Sequence, residues 1–68
     1  MDDDLRELEA LLDYLVKHNE DHAGELQDLA SRAQTLGKTE AYDRLTEGVA
    51  LLRDSNVSLR KALDALRG

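Results

Sequence analysis

A heptad rhythm runs through residues 5–36, LRELEALLDYLVKHNEDHAGELQDLASRAQTL, and predicts one long amphipathic helix. Apolar side chains recur there three and then four positions apart, and only Asn19 and His22 interrupt them at their expected places. Because the spacing does not slip across this interruption, we expect a continuous helix over residues 2–36 that ends at Gly37.

The same rhythm returns in the second part of the chain and predicts a helix over residues 40–66. The positions that keep it are Tyr42, Leu45, Val49, Leu52, Asn56, Leu59, Leu63 and Leu66. Thr39 is the expected N-cap of this helix. A connection this short makes the two helices antiparallel neighbours and brings His22 opposite Asn56. The predicted fold is an all-α, antiparallel two-helix hairpin.

A different interpretation breaks the first helix between Asn19 and Gly24 and gives a three-helix bundle. Asp21 would then cap the additional helix, and Gly24 weakens a continuous helix by up to about 1 kcal/mol. The unbroken heptad spacing favours the hairpin.

Composition restricts the class of protein further. The 68 residues include no cysteine and no proline, and 15 acidic against 9 basic side chains give a net charge of −6. An acidic chain lacks the basic surface that nucleic acids and anionic membranes attract, and no apolar run approaches the roughly 20 residues that cross a bilayer. We expect a single domain, residues 1–68, that is cytoplasmic and binds neither nucleic acid nor membranes.

The apolar surface is wider than one seam between two helices can bury, which predicts a second copy of the chain. The residues expected on the core or dimer face are Leu11, Leu12, Leu15, Leu26, Leu29, Leu45, Leu52, Leu59 and Leu63. Beside the second stripe, small residues recur every seven positions at Ala41, Gly48, Ser55 and Ala62. We therefore expect a homodimeric four-helix bundle. A marginally stable monomer with an uneven apolar face, and an apolar face that binds a different protein, stay alternatives.

The segment KHNEDHAGE at residues 17–25 is where candidate chemistry is concentrated. His18 and His22 are four residues apart and Glu25 follows three residues later, so a helix presents all three on one face. Two imidazoles and a carboxylate suit a divalent ion such as Zn, Ni or Co.

A buried polar layer is the competing interpretation of the same segment. Asn19 and His22 fall on predicted core positions, Asn56 should face His22, and Ser55 should lie near Glu25. Polar groups in such positions reduce stability but fix the register and the number of helices. A half-buried His22 that responds to pH is a third interpretation.

No catalytic constellation is visible in the sequence. Ser55 and Ser58 have no His–Asp pair placed behind them, and Gly37-Lys38-Thr39 lacks the upstream strand and first glycine of a phosphate-binding loop. We expect a non-enzymatic interaction or structural module without a cofactor. A small protein that binds or senses a divalent metal is the alternative.

Two short patterns, H-N-x-x-H in the first predicted helix and S-N-x-x-L in the second, resemble a short helical-hairpin domain of anaerobic bacteria and archaea. The residues that carry the resemblance are His18, Asn19, His22, Ser55, Asn56 and Leu59. The likeness extends from about Leu8 to Leu66. It implies the hairpin fold and a joint role for the His and Asn residues; the family has no established activity, so no reaction is implied.

Overall fold

The computed structural model describes residues 2–68, which form two helices, α1 (Asp2–Thr35) and α2 (Thr39–Arg67). The helices pack side by side in a rod of 53 × 15 × 11 Å. They run antiparallel, because Asn19 contacts Asn56 while Asp13, earlier in α1, contacts Arg67, later in α2. The predicted hairpin is confirmed, and its helix bounds agree to within one residue.

Gly24 lies inside α1, which continues unbroken to Thr35. The three-helix interpretation is therefore wrong. One helix-weakening glycine does not break a helix that is packed on both sides of it, at Val16 and Ala23 and at Ala30, since packing contributes more than propensity. Within the described residues, neither helix has a segment long and apolar enough to cross a membrane.

The turn between the helices is a Schellman motif. Gly37 has a φ of 73°, a left-handed conformation that glycine adopts without a Cβ clash. Its N–H donates to the carbonyl of Gln34 at 3.0 Å, and the N–H of Lys38 donates to the carbonyl of Ala33 at 2.9 Å. These bonds satisfy the last carbonyls of α1 and reverse the chain within two residues.

The sequence predicted Thr39 as the N-cap of α2, and this prediction is wrong. Thr39 is the first helical residue, and Lys38 occupies the cap position without a side-chain hydrogen bond. The N–H of Tyr42 donates to the carbonyl of Lys38 at 2.9 Å, which closes the first helical turn one residue earlier than expected. The Schellman hydrogen bond from the N–H of Lys38 to the carbonyl of Ala33 holds Lys38 in this cap position.

The packed surface between the helices, called the seam below, follows the predicted stripe of α2. Val49, Asn56 and Leu63 are buried, and the remaining positions of the stripe are half-buried. On α1 the seam consists of Leu12, Val16, Asn19, Ala23, Leu26, Ala30 and Ala33. Alternate predicted positions of α1 are therefore displaced by one residue toward the C-terminus: Val16, Ala23 and Ala30 are buried in place of Leu15, His22 and Leu29.

This displacement exposes leucines that the sequence placed in the core. Leu15 is 47% and Leu29 is 45% exposed. Leu11, which the sequence placed beside the stripe on the core or dimer face, is 55% exposed. The seam instead uses smaller neighbours, and Val16 is fully buried. The physical reason is that α1 carries two adjacent apolar stripes, whereas a single neighbouring helix can cover only one. The smaller stripe lets the helices approach closely.

The two sides of the hairpin differ in chemistry. In α1 the residues one place before seam positions are Leu11, Leu15, His18, His22, Glu25, Leu29 and Arg32, and in α2 they are Ala41, Arg44, Gly48, Leu51, Ser55, Ser58, Ala62 and Ala65. A step of one residue turns about 100° around a helix, and in antiparallel neighbours the same backward step turns toward the same side. We call this side the open face. The residues one place after seam positions form the opposite, ion-pair face, which includes Asp13, Glu20, Arg60 and Arg67.

Candidate functional site

The polar interruption of the heptads separates into two groups in the structure. Asn19 and Asn56 meet inside the seam. His18 and His22 meet on the open face, where both are exposed. The sequence had placed His22 together with both asparagines, but α1 is rotated by one position relative to that expectation, so His22 does not lie in the seam.

The asparagine pair joins the helices through a side chain and a backbone group. Asn56 is 7% exposed, and its Nδ2 donates to the carbonyl of Val16 at 3.0 Å. Nδ2 of Asn19 donates to Oδ1 of Asn56 at 3.2 Å. Both polar ends of the Asn56 amide are thus satisfied, as burial requires. A slip of one residue would separate them, so this pair specifies the register.

The histidine pair is held within one helix. The two Nε2 atoms of His18 and His22 lie 2.8 Å apart, and the ring centroids lie 4.2 Å apart at an interplanar angle of 72°. Tyr14, one turn earlier, stacks on His18 with centroids 5.5 Å apart at 16°. Three rings at four-residue spacing therefore form a continuous aromatic row on α1.

Glu25 does not converge with the two Nε2 atoms. Its Oε2 lies 3.8 Å from Nδ1 of His22, on the other edge of the ring. Within residues 2–68 no cluster of three or more His, Asp or Glu side chains is arranged to hold a metal ion. The structure thus brings two of the three predicted ligands together and places Glu25 behind one of them.

A protein-family model described as Domain of unknown function (DUF8180) matches residues 8–66. The chain belongs to the DUF8180 family. The matched segment contains the turn, both polar groups and both helices, except residues 2–7 of α1 and Arg67 of α2. No curated protein and no solved structure matches the chain significantly.

Three features of this DUF8180 chain were not anticipated from its sequence. The carbonyl of Val16 carries no side-chain signal, so its bond to Asn56 could not be read from residue types. Tyr14 could have been found, because it precedes His18 by one helical turn. Predicting the ion pair between Glu20 and Arg60 would have required the rotation of α1 about its own axis as well as the register of the two helices.

Ion pairs cover the side of the hairpin away from the histidines. An Arg60 guanidinium nitrogen lies 2.6 Å from Oε1 of Glu20, and one of Arg67 lies 3.6 Å from Oδ1 of Asp13. Lys17 donates a 2.9 Å hydrogen bond to Asp13. This bond lowers the pKa of Asp13 below its ordinary value; partial burial opposes the shift, and the charges of Lys17, Arg67 and Arg60 reinforce it.

A groove of about 540 Å³ runs beside these pairs. Its charged lining includes Glu20 and Asp64 as well as Arg53, Arg60 and Lys61. Charges of both signs line it, and Glu20 and Arg60 already pair with each other. The groove therefore does not present the single-sign surface that would concentrate a charged ligand.

Proposed function

We propose that this DUF8180 chain is a non-enzymatic interaction module whose open face binds a second copy to form a homodimeric four-helix bundle. The observation that carries the proposal is the exposure of Leu11, Leu15 and Leu29 on one side of a hairpin whose other side is closed by ion pairs. Several large apolar side chains exposed on one side of a chain are typical of interfaces.

The exposed area supports a partner of similar size. The chain exposes 5262 Å². A compact monomer of 7.6 kDa is expected to expose about 4300 Å², which leaves a surplus of about 1000 Å². A specific interface of standard size covers about 800 Å² on each partner. Burying the open face of two copies against each other would bring the surface area per chain to that of a compact protein.

On the open face, the large side chains of α1 lie at the same heights along the rod as the small side chains of α2, so two copies can pack together. A two-fold axis parallel to the helices places α1 of one copy against α2 of the other and keeps every residue at its height along the rod. The hairpin register, in which Asn19 contacts Asn56, then determines which residues face each other. The pairs are Leu15 with the partner's Ala62, His22 with the partner's Ser55, Leu29 with the partner's Gly48, and Leu36 with the partner's Ala41. A leucine thus faces a small residue at three of four levels, as close helix packing needs.

Charge supports the same arrangement. The sequence of α1 contains ten acidic and three basic residues, and that of α2 contains five of each. Placing α1 beside the partner's α2 sets the two acidic helices diagonally across the bundle. The other face-to-face arrangement, with α1 beside the partner's α1, would bring them into contact. Like charge at an interface suppresses the wrong pairing.

Half-buried leucines would complete the core of this bundle. Leu12 and Leu26 of α1, with Leu52 and Leu59 of α2, belong to the seam but are only half-buried in the hairpin. In the dimer they would point toward the bundle axis, at the levels above and below the asparagine pair. Asn19 and Asn56 would then be a polar layer within an apolar core, a device that fixes register and helix number.

The polar groups favour binding over catalysis. Asn56 and Asn19 hydrogen-bond to each other and to the backbone, and the two imidazoles contact each other rather than a serine or threonine hydroxyl. A nucleophilic site needs a base within hydrogen-bond reach of its nucleophile. The proposed module acts by association, and we propose the cytoplasm as its location because the chain contains no cysteine and is acidic.

The H-N-x-x-H and S-N-x-x-L patterns fit this role in the helical-hairpin domain of anaerobic bacteria and archaea that they resemble. In each pattern one asparagine belongs to the seam, Asn19 in α1 and Asn56 in α2. We propose that the patterns specify the register of the hairpin, and through it the pairing of two hairpins.

Sedimentation equilibrium of wild type and Leu29→Glu tests the dimer. We expect wild type at twice the monomer mass of 7.6 kDa and Leu29→Glu at the monomer mass, because the substitution buries a carboxylate against the partner. Val57→Glu is the matched control: Val57 is 54% exposed but lies one place after the seam residue Asn56, on the ion-pair face. It should remain dimeric. A monomeric wild type, or equal loss in both variants, contradicts the proposal.

A further inference from the structure

We propose that His18 and His22 bind one divalent transition-metal ion through their Nε2 atoms, and that Glu25 positions His22 without contacting the ion. This site lies within one helix. It goes beyond the proposed self-association and does not depend on it. Zn²⁺, Ni²⁺ and Co²⁺ are the ions that its ligands suit.

The separation of the two nitrogens carries the proposal. The Nε2 atoms lie 2.8 Å apart, so the structure already brings the two potential ligand atoms together on one helix. Two imidazoles at about 2.1 Å from an ion in tetrahedral geometry have nitrogens about 3.4 Å apart. Opening the pair by about half an ångström, a small change in side-chain torsion, admits the ion. The helix itself does not have to move.

The surrounding side chains restrict both rings. Tyr14 stacks on His18 at an interplanar angle of 16°. The carboxylate of Glu25 lies 3.8 Å from Nδ1 of His22, the nitrogen opposite the proposed ligand atom. This distance is beyond a hydrogen bond, so Glu25 would have to move closer when the ion binds. A carboxylate on the far nitrogen of a metal-binding histidine orients the ring and raises its basicity. This position gives Glu25 a supporting role in place of the direct role that its spacing suggested.

Access and ligand type determine which ions fit. In the single hairpin His22 is 49% exposed on its side chain and His18 is exposed. In the proposed dimer, where His22 faces the partner's Ser55, the ion would enter from the side of His18. Two protein ligands leave further coordination positions to water, which makes the ion exchangeable. Imidazole nitrogen suits Ni²⁺, Co²⁺ and Zn²⁺, whereas Mg²⁺ and Ca²⁺ prefer oxygen.

Calorimetric titration with NiCl2, CoCl2, ZnCl2 and MgCl2 tests the site. The sequence contains only two histidines, so His18→Ala and His22→Ala each remove half of the imidazoles. We expect one Ni²⁺ per chain, tighter binding of Ni²⁺ than of Co²⁺, no heat with Mg²⁺, and at least about tenfold weaker Ni²⁺ binding in either variant. Absence of heat with wild type at millimolar metal, or equal affinity in the two alanine variants and wild type, overturns the proposal.

Leu29→Glu separates this proposal from the dimer. The variant keeps both imidazoles on one helix, so it should bind Ni²⁺ whether or not two copies associate. Loss of association with retained Ni²⁺ binding supports both proposals, and a monomeric wild type that binds Ni²⁺ contradicts only the dimer. A Leu29→Glu chain that fails to bind metal bound by wild type would show that the ion needs a ligand from the partner, and the two-ligand site would be wrong.

The role of Glu25 has its own test. Glu25→Gln should weaken Ni²⁺ binding by about tenfold, as changes behind a metal-binding histidine do. Asp28→Asn removes the same charge one turn away and is the control; it should leave affinity within about twofold. At saturating Co²⁺ the visible absorption spectrum should be the same in wild type and Glu25→Gln, because the atoms that contact the ion are the same. A changed spectrum would show that Glu25 is a ligand, and equal weakening by Asp28→Asn would show that only net charge matters.

Discussion

The two faces of the hairpin lie on either side of the same seam but differ in the side chains that they expose to solvent. On the ion-pair face, charges within one chain satisfy each other, as Glu20 and Arg60 do at 2.6 Å. On the open face, leucines lie beside small residues, histidines and the charged Glu25, Arg32 and Arg44, and Leu15 and Leu29 stay 47% and 45% exposed. The ion-pair face is satisfied largely within one chain, whereas the open face leaves large apolar side chains exposed.

The difference shows where stability and specificity arise. Exposed ion pairs contribute about 0–1 kcal/mol each, so the ion-pair face chiefly sets how the helices are oriented. Burial of apolar side chains contributes more, but the seam of this hairpin is narrow, and its fully buried large side chains are Leu63 and Val16. A chain of 68 residues with so small a core gains most from covering its open face.

Truncation in the seam should have the largest effect, because both faces depend on it. Leu63 is 1% exposed, and Leu63→Ala should lower the free energy of unfolding by about 2–5 kcal/mol. Val57→Ala, on the ion-pair face, should change it by less than about 0.5 kcal/mol. Urea denaturation at one fixed protein concentration measures both. Similar losses would mean that the seam does not dominate stability.

Two glycines, one on each face, can be replaced by larger residues without disturbing the hairpin. A Cβ at Gly48 or at Gly24 would meet nothing within 4 Å. Gly48 precedes the seam residue Val49 and turns to the open face, whereas Gly24 follows Ala23 and turns to the opposite side. Leucine at either position should raise helix stability by up to about 1 kcal/mol.

Only Gly48→Leu should weaken association. It would fill the place expected for the partner's Leu29, and overpacking costs about 1–3 kcal/mol, or roughly tenfold or more in the dimer dissociation constant. Gly24→Leu should leave that constant unchanged. Sedimentation velocity over a dilution series distinguishes them. If Gly48→Leu associates as tightly as wild type, α1 does not pack against the partner's α2 at this level.

Sequence periodicity specified the elements of this fold more completely than their rotation. Gly37 and the unbroken heptads were enough to predict two antiparallel helices, and every seam position of α2 was identified. On α1 the same reasoning chose Leu15 and Leu29 over Val16 and Ala30, because leucine is the more apolar residue. Hydrophobicity alone cannot distinguish two adjacent stripes when one packs within the chain and the other remains on the surface.

The candidate site was predicted in part for the same reason. The spacing of His18 and His22 fixes their proximity on any helix, whatever its rotation, and the structure brings them together. The partner of Asn56 depends on rotation, so the sequence chose His22 where the structure has Asn19. The edge of the His22 ring that faces Glu25 depends on side-chain torsions, which no spacing rule contains.

The asparagine pair lies between the two faces and offers a smaller, sharper test. The hydrogen bond between Asn19 and Asn56 should give a coupling energy of about 1 kcal/mol in a double-mutant cycle of Asn19→Ala, Asn56→Ala and the double variant. Chemical denaturation of the four proteins supplies the cycle. Asn56→Ala alone should cost more than Asn19→Ala, because it also leaves a cavity beside Val16. Additive losses would show that the two amides act independently.

The smallest predicted effect concerns the pH dependence of the ion-pair face. The hydrogen bond from Lys17 holds the pKa of Asp13 below its ordinary value in the folded chain, and Arg67 and Arg60 add to the shift. A carboxyl group whose pKa is lowered by folding stabilises the folded state above its unfolded pKa, and this contribution is lost as the pH falls through the folded pKa. Between neutral pH and strong acid, wild type should therefore lose slightly more stability than Asp13→Asn, with the difference developing below about pH 4.

Asp28→Asn is the matched control, because Asp28 is exposed and forms no ion pair among the described side chains. Thermal melts across this range measure the difference, and identical acid limbs for wild type and Asp13→Asn would show that the pairs of this face do not contribute to folding, leaving the seam and the open face to account for all of it.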